Sequence, residues 1–350
     1  MSSREELILA MTAQLDGLTK PRGSLGKLED YCVKLATIQG RVPPQIRKKA
    51  VYVFASDHGV TEEGVSLYPQ EVTYQMVLNF LSGGAAINAL ANGTGWEVIA
   101  VDAGVATVFP PARELPKAAR FIDKKIGLGT KNFAKEDAMS ASDLQRALDA
   151  GAELAEDAVS QGYDLVAIGD MGIGNTTTAA ALLVAGGLDP DLIIDRGTGI
   201  DDAMLLRKRK VILDAVASRG PYKSARDMLR AFGGFDYAMM AGFILGLEGR
   251  GIGCILDGFP VSSAAYMAYL LNKAVNSFLY SGHKSRVSGH APLLAAMGLD
   301  PILSLDMRLG EGTGAVLGGF LVELSVKAAN EMASFSQAGV SESTLDEKKF

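Results

Sequence analysis

Residues 50–59 read Ala-Val-Tyr-Val-Phe-Ala-Ser-Asp-His-Gly, an apolar run that stops abruptly at polar residues. Such a run is typical of a buried strand in a parallel sheet, and its polar end indicates a functional edge. The pattern recurs three times along the chain, and each run ends at Asp and Gly. These runs are 96–101 before Asp102 and Gly104, 164–168 before Gly169 and Asp170, and 252–256 before Asp257 and Gly258.

Segments in which apolar residues show helical spacing lie between these strand-like runs. The predicted helices cover 70–92, 141–161, 176–186, 201–217, 224–230, 236–248 and 261–275. Alternating strands and helices predict an α/β fold with an open, mainly parallel, doubly wound sheet of the Rossmann-like kind. Ligands of such sheets bind beyond the carboxyl ends of the strands, so we expect the four polar strand ends to converge on one crevice.

The two ends of the chain are predicted to form a smaller helical lobe. Helical spacing appears at 4–16, at 25–39 and in the long apolar segment 313–333. We therefore assign 1–48 and 300–336 to this lobe and 49–299 to a large α/β nucleotide-binding domain. The polar segment 337–350 is predicted to be a flexible tail.

Composition excludes several classes of function. The net charge is -6 with acids and bases interspersed, which argues against a nucleic-acid-binding surface. The 2 cysteines lie far apart and the chain has only 3 histidines, so neither a disulfide framework nor a metal centre is expected. The N-terminal segment does not resemble a signal peptide and no long uncharged apolar run occurs, which predicts a cytoplasmic protein without a membrane span.

Two glycine-rich turns are candidate anion sites. Residues 169–178 read Gly-Asp-Met-Gly-Ile-Gly-Asn-Thr-Thr-Thr, after a predicted strand and at the start of a helix, where backbone N–H groups can hold a phosphate. The turn is not a P-loop and matches a dinucleotide fingerprint only in part. A dinucleotide-dependent oxidoreductase and a purely structural turn are therefore alternatives. The second turn, 196–199, precedes the basic run 207–210, of which at most one or two cations can point inward.

Glu311 is the candidate catalytic carboxylate. It stands between glycines in Met307-Arg-Leu-Gly-Glu-Gly-Thr-Gly-Ala315, just before the apolar helical segment. Flanking glycines permit a tight turn and close approach of a ligand. The segment 281–290 is either a loop that closes over the ligand or a surface loop with two solvated histidines. His58 is interpreted as structural, because Asp57 and His58 are neighbours on a strand end and are expected to face apart.

With these motifs in view, the chain resembles the nicotinate-nucleotide:dimethylbenzimidazole phosphoribosyltransferase family nearly from end to end. The matching motifs are 18–29, 57–66, 75–88, 171–177, 197–199, 233–236, 257–259 and 307–314. Their order and spacing make the resemblance specific. It implies transfer of phosphoribose from nicotinate mononucleotide to a benzimidazole-type base, with inversion from β to α at the anomeric carbon. It also implies a homodimer and neither metal nor cofactor, because the donor has a single phosphate and no pyrophosphate leaves.

The resemblance also assigns roles to individual residues. Glu311 would be the general base and Asp170 would assist it. The residues implied around the phosphate and ribose are Gly172, Gly174, Asn175, Gly197, Thr198, Lys208 and Ser285. The residues implied around the flat base are Tyr68, Gln75, Met76, Met307 and Leu309.

Two positions depart from the family pattern. Asp170 stands where the family usually has Glu, so its carboxyl is one methylene shorter and is expected to reach the base only through water. In the predicted closing loop, residues 285–289 read Ser-Arg-Val-Ser-Gly instead of Ser-Ala-Glu-x-Gly. Both changes bear on which base is accepted more than on the reaction class.

Overall fold

The computed structural model describes residues 3–196 and 199–341. The predicted phosphate-site residues Gly197 and Thr198 therefore lie outside the described residues. The same holds for 342–350, which form most of the predicted flexible tail.

A seven-stranded sheet forms the centre of the molecule, and every pair of neighbouring strands is parallel. The strands are β1 Lys49–Ser56, β2 Glu97–Gly104, β3 Arg120–Asp123, β4 Leu165–Met171, β5 Gly253–Leu256, β6 Leu279–His283 and β7 Pro301–Leu303. Their order is β3-β2-β1-β4-β5-β6-β7. The order reverses between β1 and β4, which is the arrangement of a doubly wound sheet and confirms the predicted fold class.

Helices cover both faces of the sheet. They are α1 Arg4–Asp16, α2 Lys27–Gln39, α3 Glu71–Ser82, α4 Ala86–Thr94, α5 Ala141–Ser160, α6 Asn175–Ala185, α7 Pro190–Ile193, α8 Asp202–Arg219, α9 Ala225–Phe232, α10 Phe235–Gly246, α11 Phe259–Leu271, α12 His290–Met297, α13 Thr313–Glu331 and α14 Phe335–Ala338. Short 3-10 helices occur at Gly59–Glu63, Ala112–Glu114 and Lys273–Ser277. In the described residues, no helix has both the length and the apolar composition needed to cross a bilayer.

The predicted helix at 70–92 is two helices. Gly83 ends α3 in a left-handed conformation with φ of 82°, and α4 begins three residues later. A glycine in this conformation is a common helix terminator, because other residues are strained there. The resulting break places the N-terminus of α4 beside the turn that carries Glu311.

Strand β1 is fully buried and its side chains alternate between two cores. Tyr52 and Phe54 pack on one face of the sheet, in a core that includes residues of α5 and α10. Val51 and Val53 pack on the other face, in a core that includes residues of α2 and α13. This alternation follows from the two-residue period of a strand, and burial on both faces explains the continuous apolar run in the sequence.

The two ends of the chain meet. Leu18 and Ser334 form an antiparallel bridge, and α2 and α13 share one core with β1. Strand β7, which belongs to the segment assigned to the helical lobe, pairs with β6 at the sheet edge. The division into a small lobe and a large domain remains a prediction.

Candidate active site

The site lies beyond the carboxyl ends of β1 and β4, where the strand order reverses. A crevice is expected at this position, because the connections leave the two strands toward opposite faces of the sheet. Several buried carboxyl groups occur at this edge, among them Asp57 just after β1, Asp170 on β4 and Asp257 just after β5. The predicted convergence of polar strand ends therefore places several carboxyl groups in surroundings of low polarity.

The segment Gly310–Gly312, called the catalytic turn because it carries the candidate base Glu311, has a rare backbone conformation. All three residues are left-handed, with φ of 92° at Gly310, 64° at Glu311 and 88° at Gly312. A non-glycine residue held in this region costs about 1–3 kcal/mol and persists where the surrounding structure determines it. Gly169 of β4 supplies part of that surrounding structure, since a Cβ atom there would lie 2.3 Å from the Gly312 amide nitrogen. The turn therefore lies directly against the central sheet.

The Glu311 side chain is only 6% exposed. Its Oε2 atom accepts a long hydrogen bond of 3.4 Å from the Ile87 N–H at the start of α4. Burial raises the pKa of the Glu311 carboxyl, the Ile87 N–H opposes the rise, and the Asp257 carboxylate adds to it. A carboxylate with a raised pKa is a better proton acceptor than an ordinary surface glutamate, which suits a general base.

Asp170 is buried next to the glycine-rich turn. Asn175 Nδ2 donates a hydrogen bond of 2.6 Å to Asp170 Oδ2. Burial is the largest cause that raises the pKa of Asp170, to about 7, and the Asp236 and Asp257 carboxylates contribute. A Cβ atom on Gly310 would lie 3.9 Å from the Asp170 carbonyl oxygen, so the catalytic turn passes beside this residue.

The glycine-rich turn leads into α6 and presents a cation at its start. Gly174 precedes α6 with φ of 94°, a conformation that favours glycine. Lys208 Nζ donates to Thr176 Oγ1 at 3.0 Å and to the Asp195 carbonyl oxygen at 3.1 Å. Lys208 is 2% exposed, and burial lowers its pKa to about 8 while Asp195 opposes the decrease. A buried cation at a helix N-terminus is a suitable environment for a phosphate.

Lys208 is the inward-pointing member of the basic run 207–210. Arg207 and Lys210 are exposed, and Arg209 pairs with Asp191 on the surface. The helical period of α8 explains this difference, because neighbouring positions point in different directions.

His58 lies beneath the glycine-rich turn. Its Nδ1 atom is 3.2 Å from Thr178 Oγ1, and its Nε2 atom is 3.4 Å from Asp236 Oδ2. Burial lowers the pKa of His58, but the Asp236 carboxylate, together with Asp57 and Asp170, outweighs that effect and the net shift is upward. A Cβ atom at Gly172 would lie 2.9 Å from His58 Nε2, so the turn packs on the imidazole. These contacts indicate that His58 supports the glycine-rich turn structurally.

The segment predicted to close over the ligand connects the two halves of the site. The backbone N–H of Arg286 donates to the Met307 carbonyl oxygen at 2.9 Å, and Ser285 Oγ donates to the same atom at 3.3 Å. The Ser288 N–H donates to Asp195 Oδ2 at 2.8 Å. The segment therefore joins the chain before the catalytic turn to the chain before the second glycine-rich turn.

The alternative of a surface loop with two solvated histidines is wrong, because His283 and His290 are both buried. His290 Nδ1 accepts from the Ser285 N–H at 2.9 Å, and its Nε2 atom is 2.9 Å from Ser262 Oγ. Burial first, and then His283, lowers the pKa of His290 to about 3, so the ring is neutral at ordinary pH. Because Nδ1 accepts, the proton lies on Nε2 and donates to Ser262.

The residues predicted to border the flat base lie on two segments. Tyr68 precedes α3, Gln75 and Met76 belong to α3, and Met307 and Leu309 precede the catalytic turn. Tyr68 is 55% exposed and Leu309 is 56% exposed, whereas Met76 and Met307 are half-buried. Exposed apolar side chains of this kind can cover an aromatic ring when it binds.

Sequence reasoning did not predict the buried partners of the site. In the sequence, Asp236 appears only as an acid shortly after two glycines, and Asp257 appears only as an acid at the end of a predicted strand. Their contacts join segments far apart in sequence, such as Asp257 with Gly312 and His58 with Asp236. Among residues 3–196 and 199–341, no group of three or more His, Cys, Asp or Glu side chains is arranged to hold a metal ion.

Comparisons with known proteins point to one family. A family model described as phosphoribosyltransferase matches residues 2–340. A nicotinate-nucleotide–dimethylbenzimidazole phosphoribosyltransferase of Roseiflexus castenholzii is 47% identical over 334 residues, covering 95% of this chain and 93% of the relative. The crystal structure of CobT from Thermus thermophilus superimposes with a TM-score of 0.90 at 43% identity, covering 97% of this chain and 100% of the other.

The alternative of a dinucleotide-dependent oxidoreductase is not supported, since these relatives are transferases. The glycines that suggested it also have a structural explanation. A Cβ atom on Gly172 would lie 2.3 Å from the Ser56 carbonyl oxygen, so glycine is required there for packing on β1. The partial fingerprint therefore does not require a pyrophosphate ligand.

Proposed function

The chain belongs to the nicotinate-nucleotide–dimethylbenzimidazole phosphoribosyltransferase family, and we propose that Glu311 is the general base of its reaction. The reaction transfers the phosphoribosyl group of nicotinate mononucleotide to dimethylbenzimidazole or a related base. Its products are α-ribazole phosphate, for the lower ligand of cobamides, and nicotinate. The observation that carries the role of Glu311 is its burial on a left-handed turn against β4, at the sheet edge that also holds the glycine-rich turn.

The chemistry requires one proton acceptor. A ring nitrogen of the incoming base forms a bond to the anomeric carbon, and the bond from that carbon to nicotinate breaks. Nicotinate leaves with the bonding electron pair as a neutral pyridine nitrogen, so it needs little acid assistance. The new ring would be cationic, which makes the proton on its other nitrogen acidic. Glu311 removes that proton, and its raised pKa favours the transfer.

The donor phosphate is proposed to bind between the start of α6 and Lys208. The contact of Lys208 with Thr176 places the ammonium group at the helix N-terminus, where both the cation and the backbone N–H groups favour an anion. The proposed phosphate and ribose residues are Gly172, Gly174, Asn175, Gly197, Thr198, Lys208 and Ser285. Ser285 is fixed near the catalytic turn by its bond to the Met307 carbonyl oxygen.

Asp170 is proposed as an auxiliary group for the incoming base. Its pKa of about 7 means that the carboxyl can either donate or accept a hydrogen bond near neutral pH. Because Asn175 already occupies one carboxyl oxygen, the other remains for a water molecule that reaches the base. The base itself is proposed to lie among Tyr68, Gln75, Met76, Met307 and Leu309.

The protein is proposed to act as a homodimer in the cytoplasm, without a metal or cofactor. The buried and free state of both cysteines fits a reducing compartment. A donor with a single phosphate gives a divalent cation no pyrophosphate to neutralise, and nicotinate is a stable leaving group without one.

Incubation of the purified protein with nicotinate mononucleotide and a panel of bases tests this function. The panel comprises dimethylbenzimidazole, a hydroxylated benzimidazole, benzimidazole, a purine and a phenol, with products separated by chromatography. We expect an α-ribotide of at least one benzimidazole, formed in equal amount with nicotinate. If no base in the panel is ribosylated, the function is wrong. Calorimetry with NAD serves as a control, and binding of NAD without binding of nicotinate mononucleotide would favour an oxidoreductase.

A further inference from the structure

Asp257 is bonded to the backbone on the C-terminal side of Glu311. Its Oδ2 atom accepts a hydrogen bond of 2.9 Å from the Gly312 N–H. Its Oδ1 atom accepts bonds of 2.8 Å from the Gly314 N–H and 3.2 Å from the Ala315 N–H. These N–H groups belong to the start of α13, where a helix leaves its first donors without internal partners. One carboxylate from the end of β5 therefore fixes the exit from the catalytic turn.

The catalytic turn has rigid groups on its other sides. A Cβ atom on Gly312 would lie 2.7 Å from Val51 Cγ2 of β1, and one on Gly169 would collide with Gly312 itself. The sheet therefore limits movement of the turn in one direction, and Asp257 holds it from the β5 side. Glu311 needs both constraints, since a left-handed conformation at a non-glycine residue relaxes when the surroundings permit.

His283 in turn borders Asp257. Its Nε2 atom is 3.4 Å from Asp257 Oδ1, and both side chains are buried. The imidazole also packs under the start of α13, because a Cβ atom on Gly314 would lie 2.0 Å from His283 Cδ2. His283 ends β6, the strand next to β5, so the sheet fixes its position.

We propose that Asp257, braced by His283, is the positioning residue that holds Glu311 in its proton-accepting conformation. This inference rests on the proposed function of Glu311 as the base. In this role the fully buried Asp257 acts through the backbone of Gly312 and the start of α13, not through contact with the substrate. The charge of Asp257 has a second effect, since it raises the pKa of the Glu311 carboxyl, whereas the hydrogen bond from the Ile87 N–H lowers that pKa.

Asp257→Asn is the central variant. The substitution keeps the size of the side chain but turns an NH₂ group toward backbone N–H donors. We expect kcat to fall about ten- to hundred-fold, as for misplacement of a catalytic group, with KM for nicotinate mononucleotide within about three-fold of wild type. The acid limb of the kcat–pH profile should also move to lower pH, since the carboxylate that raises the Glu311 pKa is gone.

Asp102→Asn is the matched control. Asp102 is likewise a buried aspartate at a strand end, but it accepts from the Val105 N–H and pairs with Lys125. We expect this variant to lose thermal stability while its kcat stays within about three-fold of wild type and its acid limb does not move. A merely structural role for Asp257 would make the two variants behave alike.

Wild-type kcat and an unmoved acid limb in Asp257→Asn would overturn the proposal, and so would equal kinetic losses in both variants. If Asp257→Asn does not fold, His283→Gln replaces it, with an expected several-fold loss of kcat at unchanged KM; wild-type kcat there would contradict the proposal. The Glu311→Gln variant distinguishes a failure of the proposed base from a failure of the positioning role. If Glu311→Gln is fully active, the proposed base is wrong, whereas an inactive Glu311→Gln with a normal Asp257→Asn rejects the positioning role alone.

Discussion

Glu311 could be recognised from the sequence as a candidate catalytic residue. A carboxylate between glycines was sufficient to single it out, because Gly310 and Gly312 permit a turn that most residues resist. The sequence could not show that Glu311 itself is left-handed and buried. Those properties depend on Ile87 and Gly169, which approach the turn from elements more than a hundred residues away.

The pH dependence of the rate follows from the raised pKa of Glu311. The base acts only when deprotonated, so kcat is retained above the raised pKa and lost as pH falls through it. We expect an acid limb centred above pH 4.5, the ordinary value for this side chain. Measurement of kcat from pH 4 to 8 with both substrates saturating checks this. A rate that stays constant down to the ordinary carboxyl range would be inconsistent with the assigned base.

Lys208 is predicted to determine affinity for the donor more than turnover. Lys208→Met keeps much of the side-chain volume but removes charge-assisted hydrogen bonds of about 1.5–3 kcal/mol each. KM for nicotinate mononucleotide should rise about ten- to hundred-fold for the loss of one such bond. The matched control is Lys210→Met, because Lys210 is exposed and pairs with Asp214, and its KM should not change.

The pH dependence of the wild-type enzyme provides a second test of the role of Lys208. Its lowered pKa of about 8 means that the free enzyme loses this charge as pH rises through about 8. The value of kcat/KM for the donor should therefore decrease above that pH in wild type but not in Lys208→Met. A common pH profile for the two proteins would exclude Lys208 from the phosphate site.

At the scale of elements, the apolar strands buried on both faces were predictable, whereas the two edge strands and the buried but less apolar β6 were not. β1, β4 and β5 appear in the sequence as apolar runs because helices cover both of their sides. β3 has only four residues, none of them fully buried, and β7 has three residues beginning with Pro301. β6 contains Ser281, Gly282 and His283, which are polar or small because they serve the site and the close approach of α13.

Contact between β4 and the catalytic turn is predicted to depend on Gly169. Gly169→Ala would place a Cβ atom 2.3 Å from the Gly312 nitrogen, so strand or turn must move. We expect a loss of stability of about 1–3 kcal/mol, as for overpacking, together with a large decrease in kcat. Gly93→Ala in α4 is the control, because no heavy atom lies within 4 Å of its Cβ position.

Thermal unfolding and steady-state kinetics of the two alanine variants provide the measurement. Gly93→Ala should gain about 0.5–1 kcal/mol of stability, because alanine restricts the unfolded chain and favours a helix. Its kcat should match wild type. Equal activity in Gly169→Ala and Gly93→Ala would show that the catalytic turn does not depend on its contact with β4.

For the whole molecule, the fold class followed from alternating strands and helices, but the order of the strands did not. Order depends on which runs pair across long connections, as β1 does with β4 more than a hundred residues later. That pairing creates the reversal at which Glu311, Asp170 and the glycine-rich turn meet. The predicted homodimer and the two-lobed division involve contacts that sequence patterns do not determine, and both remain predictions.

The central claim is that this chain transfers phosphoribose with Glu311 as the base. Its most direct test is to compare wild type and Glu311→Gln with nicotinate mononucleotide and dimethylbenzimidazole, following release of nicotinate and formation of the α-ribotide. We expect turnover in Glu311→Gln to fall by about 100-fold or more, as for removal of a general base, while donor affinity is retained. Release of nicotinate at the wild-type rate by Glu311→Gln would contradict the account.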